Sequence, residues 1–290
     1  MPAKKAAAKP KSVKAVKPKV AKAAKPSLEE KKTGEVEVAK VVKQETPKKV
    51  SYYTADLPSL KDMLEAGVHF GHSVKRRNPR MDEYVYAVKN GVQIFDLIKT
   101  RDLLAEACGY LMQTVADGGQ VLLVGTKGQA AETVKSEAER LGIPFITTRW
   151  VGGLFTNWEQ LKNRITKLVD MRKKMEAGDY KKYTKKEQVL LKREIDRLTR
   201  MYGGLVPMEK LPAAIFIVDP TREITAVRES IARGVPIVAI ADSNANPQPL
   251  ARVIPANDDA LKSVVMLVKA VTAAIEKGQA VQRKNTQTNK

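Results

Sequence analysis

Two histidines, His69 and His72, are the only ones in this chain, and they lie three residues apart. Histidine nitrogen is a common metal ligand, but a stable site needs three or four ligands. Gly67 and Gly71 interrupt the stretch, and a single cysteine, Cys108, excludes a cysteine-based zinc site. Any metal site would need carboxylates to complete it. We therefore expect no metal, and the sequence indicates no other cofactor.

A glycine-containing turn, Gly125-Thr126-Lys127-Gly128, follows an apolar run and precedes a helical pattern. Exposed backbone N–H groups at such a position can bind phosphate. The turn matches neither the GxGxxG nor the GxxxxGKS/T fingerprint of nucleotide-binding proteins. It is therefore interpreted mainly as a tight turn. The phosphate of an RNA backbone is the first alternative ligand, and a free nucleotide is the second.

Asp219 and Asp242 also follow apolar runs, a position in which α/β enzymes place catalytic groups. Aspartate is equally ordinary at the entrance of a helix, and no GxSxG context for a nucleophilic serine is present. The expectation is that the chain is not an enzyme. A nucleotide-dependent α/β enzyme that uses the Gly125–Gly128 turn is the alternative.

The strongest chemical signal is basic. Residues 75–80 read Lys-Arg-Arg-Asn-Pro-Arg and are followed by Tyr84 and Tyr86. This combination suits phosphate contact with aromatic stacking nearby. Arg149-Trp150, ahead of two glycines, gives a second pair of a cation and an aromatic ring. The residues predicted to bind RNA are Lys75, Arg76, Arg77, Arg80, Lys127, Arg149 and Trp150.

The net charge agrees with a polyanionic partner. The 290 residues contain 52 Lys and Arg against 32 Asp and Glu, a formal net charge of +20. Each phosphate that a cation neutralises releases condensed counterions and so favours binding. Attachment to an anionic membrane surface is a further alternative, although the sequence shows neither an amphipathic helix nor a lipidation motif for it. A cytoplasmic location is the default expectation.

Half of this charge lies in the first 50 residues, which contain 15 lysines, 5 glutamates and no aromatic residue. Such a segment cannot bury enough apolar surface to offset the entropy lost on ordering. A disordered basic tail is therefore predicted over residues 1–50. A mitochondrial transit peptide is the alternative, although such peptides are typically rich in Arg and Ser.

These candidate residues need a scaffold, and the hydrophobic pattern predicts one. Helical patterns alternate with short apolar strands, which are expected at Val121–Val124, Ile143–Ile146, Ala214–Val218, Val235–Ile240 and Val253–Ile254. Continuous apolar strands between helices are typical of a parallel sheet covered on both faces. The predicted fold class is α/β, a Rossmann-like three-layer α/β/α domain with a central parallel sheet. Asn90-Gly91 predicts an additional β-hairpin.

Residues 158–202 interrupt this alternation. Apolar residues repeat at a spacing of three and four on both sides of Gly178, which predicts an antiparallel helical hairpin, or coiled coil, with its own apolar seam. The domain boundaries that follow are 51–157 and 203–278 for the α/β domain, 158–202 for the hairpin and 279–290 for a flexible C-terminal tail. Solvation or contact with a protein partner explains equally well the hairpin cations Lys162, Arg172, Lys173, Lys185, Lys192 and Arg193.

Several ordered blocks resemble the small-subunit ribosomal protein two family. LKDMLEAGVHFG, at residues 60–71, is similar to the first family signature, and LPAAIFIVDPTREITAVRESIARGVPIVAI, from Leu211, is similar to the second. HSVKRRNPRM, VGTKGQAAE, RWVGGLFTNW and VIPANDDA are similar to further blocks. The likeness covers about residues 56–278, and the long insertion at 158–202 resembles the bacterial members. Arg77 and Gly128 depart from the aromatic and the basic residue usual at these positions.

This resemblance implies a Rossmann-like domain with a protruding coiled coil, located on the small ribosomal subunit between head and body. It implies a structural role in translation and subunit assembly. The implied partners are small-subunit ribosomal RNA and neighbouring small-subunit proteins, including the largest one, which the family helps to dock. Neither a membrane nor a second copy of the chain is expected as a partner. Typical members have no counterpart of the tail 1–50.

Overall fold

The computed structural model describes residues 57–288, so the predicted basic tail at 1–50 lies outside the described residues. The strands are β1 (Phe70–Ser73), β2 (Val85–Lys89), β3 (Val92–Phe95), β4 (Val121–Val124), β5 (Phe145–Ile146), β6 (Ala214–Val218), β7 (Ile237–Ala241) and β8 (Arg252–Pro255). The α-helices are α1 (Leu60–Glu65), α2 (Leu97–Ala116), α3 (Gly128–Leu141), α4 (Trp158–Glu176), α5 (Lys185–Tyr202), α6 (Ile224–Arg233) and α7 (Leu261–Thr288). Over these residues, none of the helices combines the length and the apolar character that crossing a membrane requires.

Five parallel strands form the central sheet, in the order β5-β4-β6-β7-β8. β4, β6 and β7 are buried along their whole length. A strand covered on both faces needs this continuous apolar sequence. The strands predicted from apolar runs are therefore present, with shifts of one or two residues at some ends.

Side chains of the central sheet alternate between two hydrophobic clusters. Leu123 of β4 and Phe216 of β6 belong to the cluster that also contains residues of α2, α3 and α7. Leu122 and Ile217, their neighbours on the same strands, belong to the cluster that contains residues of α4, α5 and α6. The sheet thus lies between two layers of helices. The prediction of an α/β fold with a parallel sheet flanked by helices is confirmed.

A smaller antiparallel sheet, in the order β1-β3-β2, precedes the central one. Asn90 and Gly91 connect β2 to β3 with φ of 52° and 76°. Positive φ at both central residues fits the tight turn that hairpins prefer, as the Asn-Gly dipeptide predicts. β1 pairs with the other edge of β3 and holds the sequence that follows it, residues 74–80, next to the central sheet.

The helices α4 and α5 occupy the insertion predicted at 158–202. Lys167 lies 3.9 Å from Glu194, and the Arg172 guanidinium donates a hydrogen bond to the Thr199 hydroxyl at 2.9 Å. From the first contact to the second, the residue number increases on both helices. In a straight antiparallel pair it would increase on one helix and decrease on the other. Pairing as an antiparallel coiled coil therefore stays a prediction.

The two helices contact each other, and their apolar residues are buried. Leu161 and Leu168 of α4, with Ile195 and Leu198 of α5, are buried in the same cluster as Leu122 of the central sheet. The separate hairpin at 158–202 therefore stays a prediction. A periodic apolar stripe shows that one face of a helix is buried, but it does not show whether the cover is another helix or a sheet.

The C-terminal helix α7 continues to Thr288, so the flexible tail predicted from residue 279 is wrong up to that point. The Gln279 amide donates to the carbonyl of Leu141 at 3.1 Å. Gly278 lies so close to α2 that an added Cβ would stand 2.6 Å from the carbonyl oxygen of Met112. These tertiary contacts extend the helix although its sequence turns polar there.

Candidate nucleic-acid interface

Residues 74–80 form a loop that the rest of the fold holds in place. The Asn78 amide donates to the Ser243 carbonyl at 2.7 Å, and the His72 amide donates to Asp242 and to the Ser243 hydroxyl at 3.0 and 2.9 Å. Asn78 also caps the short 3-10 helix that follows, because its side chain accepts the amide of Arg80 at 3.1 Å. The segment after β7 thus anchors the basic loop at Asn78 and the preceding strand at His72.

The four cations of this loop, Lys75, Arg76, Arg77 and Arg80, are all exposed. Arg77 lies 3.5 Å from Asp82, and Arg80 donates to the Asn246 side chain at 3.3 Å. Surface contacts of this kind contribute little stability and compete weakly with a phosphate. The loop therefore presents positive charge on an ordered backbone, as a phosphate-binding surface requires.

The two residues of the second predicted pair, Arg149 and Trp150, differ in exposure. Arg149 is exposed, whereas Trp150 is buried and packs edge-to-face on Phe155 with ring centroids 5.2 Å apart. The Trp150 indole N–H donates to a carboxylate oxygen of Glu229 at 3.1 Å. Stacking of Trp150 on a base is not compatible with this burial, so its predicted RNA contact is corrected to a structural role.

Glu229, which lies within α6, is the residue that orders this region, and sequence patterns did not identify it. Besides Trp150, the amides of Gly153 and Phe155 donate to its carboxylate at 2.8 and 3.0 Å, and Thr156 donates more weakly. Burial alone would raise the pKa of Glu229, but the hydrogen bonds from Gly153, Trp150 and Phe155 outweigh it and lower the pKa. The buried carboxylate is therefore charged and is stabilised by N–H donors.

Lys127 has a structural position as well. It is 9% exposed, and its ammonium lies 2.5 Å from Asp259, 2.7 Å from Asp258 and 3.6 Å from Asp219. Burial lowers the pKa of Lys127, but the hydrogen bonds to Asp258 and Asp259 raise it by more. The pKa is therefore raised, and the side chain is charged. Its predicted contact with RNA is corrected, because three carboxylates of the same chain already surround the ammonium.

Four residues near this ammonium could hold a divalent cation: His72, Asp242, Asp258 and Asp259, whose ligand atoms lie within 4.8 Å of one another. His72 donates from Nδ1 to Asp242 at 2.9 Å, and this hydrogen bond raises the pKa of His72. His69, the other histidine, is not one of the four. Because the Lys127 ammonium contacts Asp258 and Asp259 directly, a metal would have to share these carboxylates with it.

Most of the cations predicted as a partner-binding arm are exposed on α4 and α5. Arg172 is half-buried beside Thr199, while the others are exposed, namely Lys162, Lys173, Lys185, Lys192 and Arg193. Exposure allows contact with a partner but equally allows solvation. The structure therefore leaves both interpretations of the arm open.

The fold and the position of the candidate residues define a class of protein. It is a Rossmann-like α/β protein whose strongest chemical feature is an ordered basic surface, formed where loops meet one end of the parallel sheet. The family model for ribosomal protein S2 matches residues 63–278, well over half of the chain, and the chain belongs to this family. It is accordingly a protein of the small ribosomal subunit, and its family is one of structural ribosomal components.

Proposed function

We propose that the chain is a structural constituent of the small subunit in the cytoplasm and binds small-subunit ribosomal RNA through its basic loop at 75–80. The observation that carries the proposal is the geometry of this loop. Its backbone is held at Asn78 by the carbonyl of Ser243, while its four cations are exposed. An ordered loop loses little conformational entropy when phosphates bind.

Arg149 is a further candidate for phosphate contact, because it is exposed and adjoins the ordered segment 150–156. Contacts of arginine and lysine with phosphate set the position of an RNA but carry little sequence information. We therefore expect recognition of RNA shape and backbone with weak preference for base sequence. Family membership supports ribosomal RNA as the physiological ligand.

The test compares two variants with the same loss of charge. Lys75→Ala, Arg76→Ala and Arg80→Ala together should weaken binding of a small-subunit ribosomal RNA transcript. The slope of log K against log salt should become shallower by about 2 to 3 units, because each phosphate contact contributes roughly 0.9. The control carries Lys61→Ala, Lys262→Ala and Lys269→Ala, three exposed lysines on α1 and α7.

The measurement is filter binding over a range of salt concentrations, with circular dichroism to show that both variants are folded. Equal slopes for the two triple variants would show that RNA binding depends on total charge, and the proposed surface would be wrong.

We also propose that the chain helps to hold the largest protein of the small subunit. Large apolar side chains on the small antiparallel sheet support a protein contact, since Phe70 and Tyr86 are 49% and 79% exposed. Exposed aromatic residues are typical anchors of protein interfaces. This surface is an alternative to the cationic arm at residues 158–202.

A further inference from the structure

The segment between β5 and α4, residues 147–157, has no regular secondary structure, although it joins two ordered elements. Compact loops of this length are frequently functional. Here the order has an identifiable source. Donors from Trp150, Gly153, Phe155 and Thr156 converge on the two carboxylate oxygens of Glu229, which is 8% exposed.

Two further contacts hold the ends of this segment. The Arg233 guanidinium donates to the Thr156 carbonyl at 2.6 Å, and the Thr148 hydroxyl donates to the Arg200 carbonyl at 3.2 Å. Arg149 lies between Thr148 and Trp150 and is itself exposed. The backbone of Arg149 is thus held by contacts of the residues before and after it, and the contacts after it are made with Glu229.

We propose that Glu229 is a positioning residue for RNA binding, which holds Arg149 in the orientation that contacts a phosphate. The inference rests on the proposed RNA-binding function and deepens it. Among the described residues no charged side chain contacts the Glu229 carboxylate, and its hydrogen bonds come from the segment itself. A negative charge beneath a phosphate-binding surface is unfavourable for long-range attraction, so its contribution must come from the order that it imposes.

Electrostatics and positioning predict opposite results for Glu229→Gln. Removing the negative charge would by itself strengthen attraction for RNA. Glutamine, however, replaces one acceptor oxygen with an NH2 donor that faces the N–H groups of the segment. If Glu229 positions Arg149, affinity for the ribosomal RNA transcript should instead fall roughly tenfold, the size expected for one charge-assisted contact. The salt slope should become shallower by about 0.9.

The experiment is a double-mutant cycle in the full chain. Arg149→Ala alone should cause the same loss, and Glu229→Gln added to Arg149→Ala should cause no further loss, because both changes remove one contact. Glu229→Asp keeps the charge but is one methylene shorter, and it should also bind more weakly. Glu139→Gln, at an exposed position on α3, is the control for the change in charge. Circular dichroism melting establishes that each variant is folded at the temperature of the assay.

Wild-type or tighter binding by Glu229→Gln, full affinity in Glu229→Asp, or additive losses in the double variant would each overturn the positioning role. If Arg149→Ala weakens RNA binding but one of these three results is found, the positioning role is wrong and the proposed RNA-binding function still holds. A failure of the proposed function is seen separately, as unchanged binding by the variant that lacks Lys75, Arg76 and Arg80.

Discussion

At the scale of single residues, the group around Lys127 shows how the fold holds several carboxylates together. Asp258 is 1% exposed, and one of its oxygens, Oδ2, lacks a hydrogen-bond partner among the described residues. Burial raises the pKa of Asp258 to about 7, with a further increase from Asp219 and an opposing effect of Lys127. The side chain is thus far easier to protonate in the folded state than an exposed aspartate.

This pKa predicts that stability falls as pH rises. Between about pH 4 and 6.5 the folded state keeps the Asp258 proton while the unfolded chain releases it, so the free energy of unfolding decreases with pH. Asp258→Asn cannot ionise and should flatten this part of the profile. His72, whose pKa is also raised, acts in the same direction above about pH 6.5. Asp259, whose pKa is lowered, acts in the opposite direction below about pH 4, because the stability contributed by its charge is lost as pH falls.

Urea unfolding at pH 4.5, 5.5 and 6.5 measures the effect. Asp102→Asn, an exposed aspartate of α2, is the matched control and should retain the slope of the unchanged chain. The assignment to Asp258 is wrong if Asp258→Asn loses as much stability over this range as the control does.

At the scale of secondary-structure elements, the insertion α4–α5 belongs to the same hydrophobic cluster as side chains on one face of the central sheet. Leu168 of α4 is completely buried in the cluster that covers one face of the sheet, whereas Leu190 of α5 is 54% exposed. Leu168→Asp would place an unpaired charge in this cluster, at a cost of several kcal/mol. We expect it to lower the stability of residues 158–202 and of the sheet together. Leu190→Asp should change little.

Hydrogen exchange distinguishes this coupled core from an independent arm. In Leu168→Asp, faster exchange is expected for α4 and α5 and also for β4 and β6. Loss of protection restricted to residues 158–202 would contradict the shared core and would restore the separate arm that the sequence predicted.

The sequence predicted those strands and helices whose burial leaves a recognisable pattern of apolar residues along the chain. Val121–Val124 and Ala214–Val218 were located to the residue, because a strand buried on both faces needs an uninterrupted apolar run. β1 was missed, since Phe70–Ser73 has no buried position and therefore no alternation. The end of α7 was missed because its contacts, such as that of Gln279 with Leu141, are tertiary.

The candidate site was predictable only in its exposed part. A basic run such as residues 75–80 is visible in sequence, and the structure leaves these side chains exposed. Lys127 and Trp150 belong to similar local patterns, but their partners Asp258 and Glu229 are distant in sequence. Burial of a polar side chain is decided by these distant partners, which a local pattern does not contain.

At the scale of the whole molecule, the proposed docking of a large protein partner would use one of two surfaces. Phe70→Ser with Tyr86→Ser removes the exposed aromatic residues, and Lys173→Ala with Lys185→Ala and Lys192→Ala removes exposed cations of the arm. We expect the aromatic variant to reduce binding of the purified largest small-subunit protein at least tenfold, because buried aromatic anchors dominate interface energies. The arm variant should bind nearly normally.

Titration calorimetry with both variants decides between the surfaces, and circular dichroism melting of each variant serves as the control for folding. Loss of partner binding only in the arm variant would place the contact on α4 and α5 and would remove the support for the aromatic surface.

The pairing of β4 with β6 has a consequence for how the chain becomes folded. Val121 lies beside Ala214 in the sheet, and β5, α4 and α5 all lie between these strands in the sequence. Closing so long a loop costs entropy before any strand pair forms, and non-local contacts of this kind slow folding. During synthesis, β4 has no central neighbour until β6 has left the ribosome. The newly made chain can pair β4 with β5, but the other edge of this apolar strand stays unpaired until the later half of the chain is available.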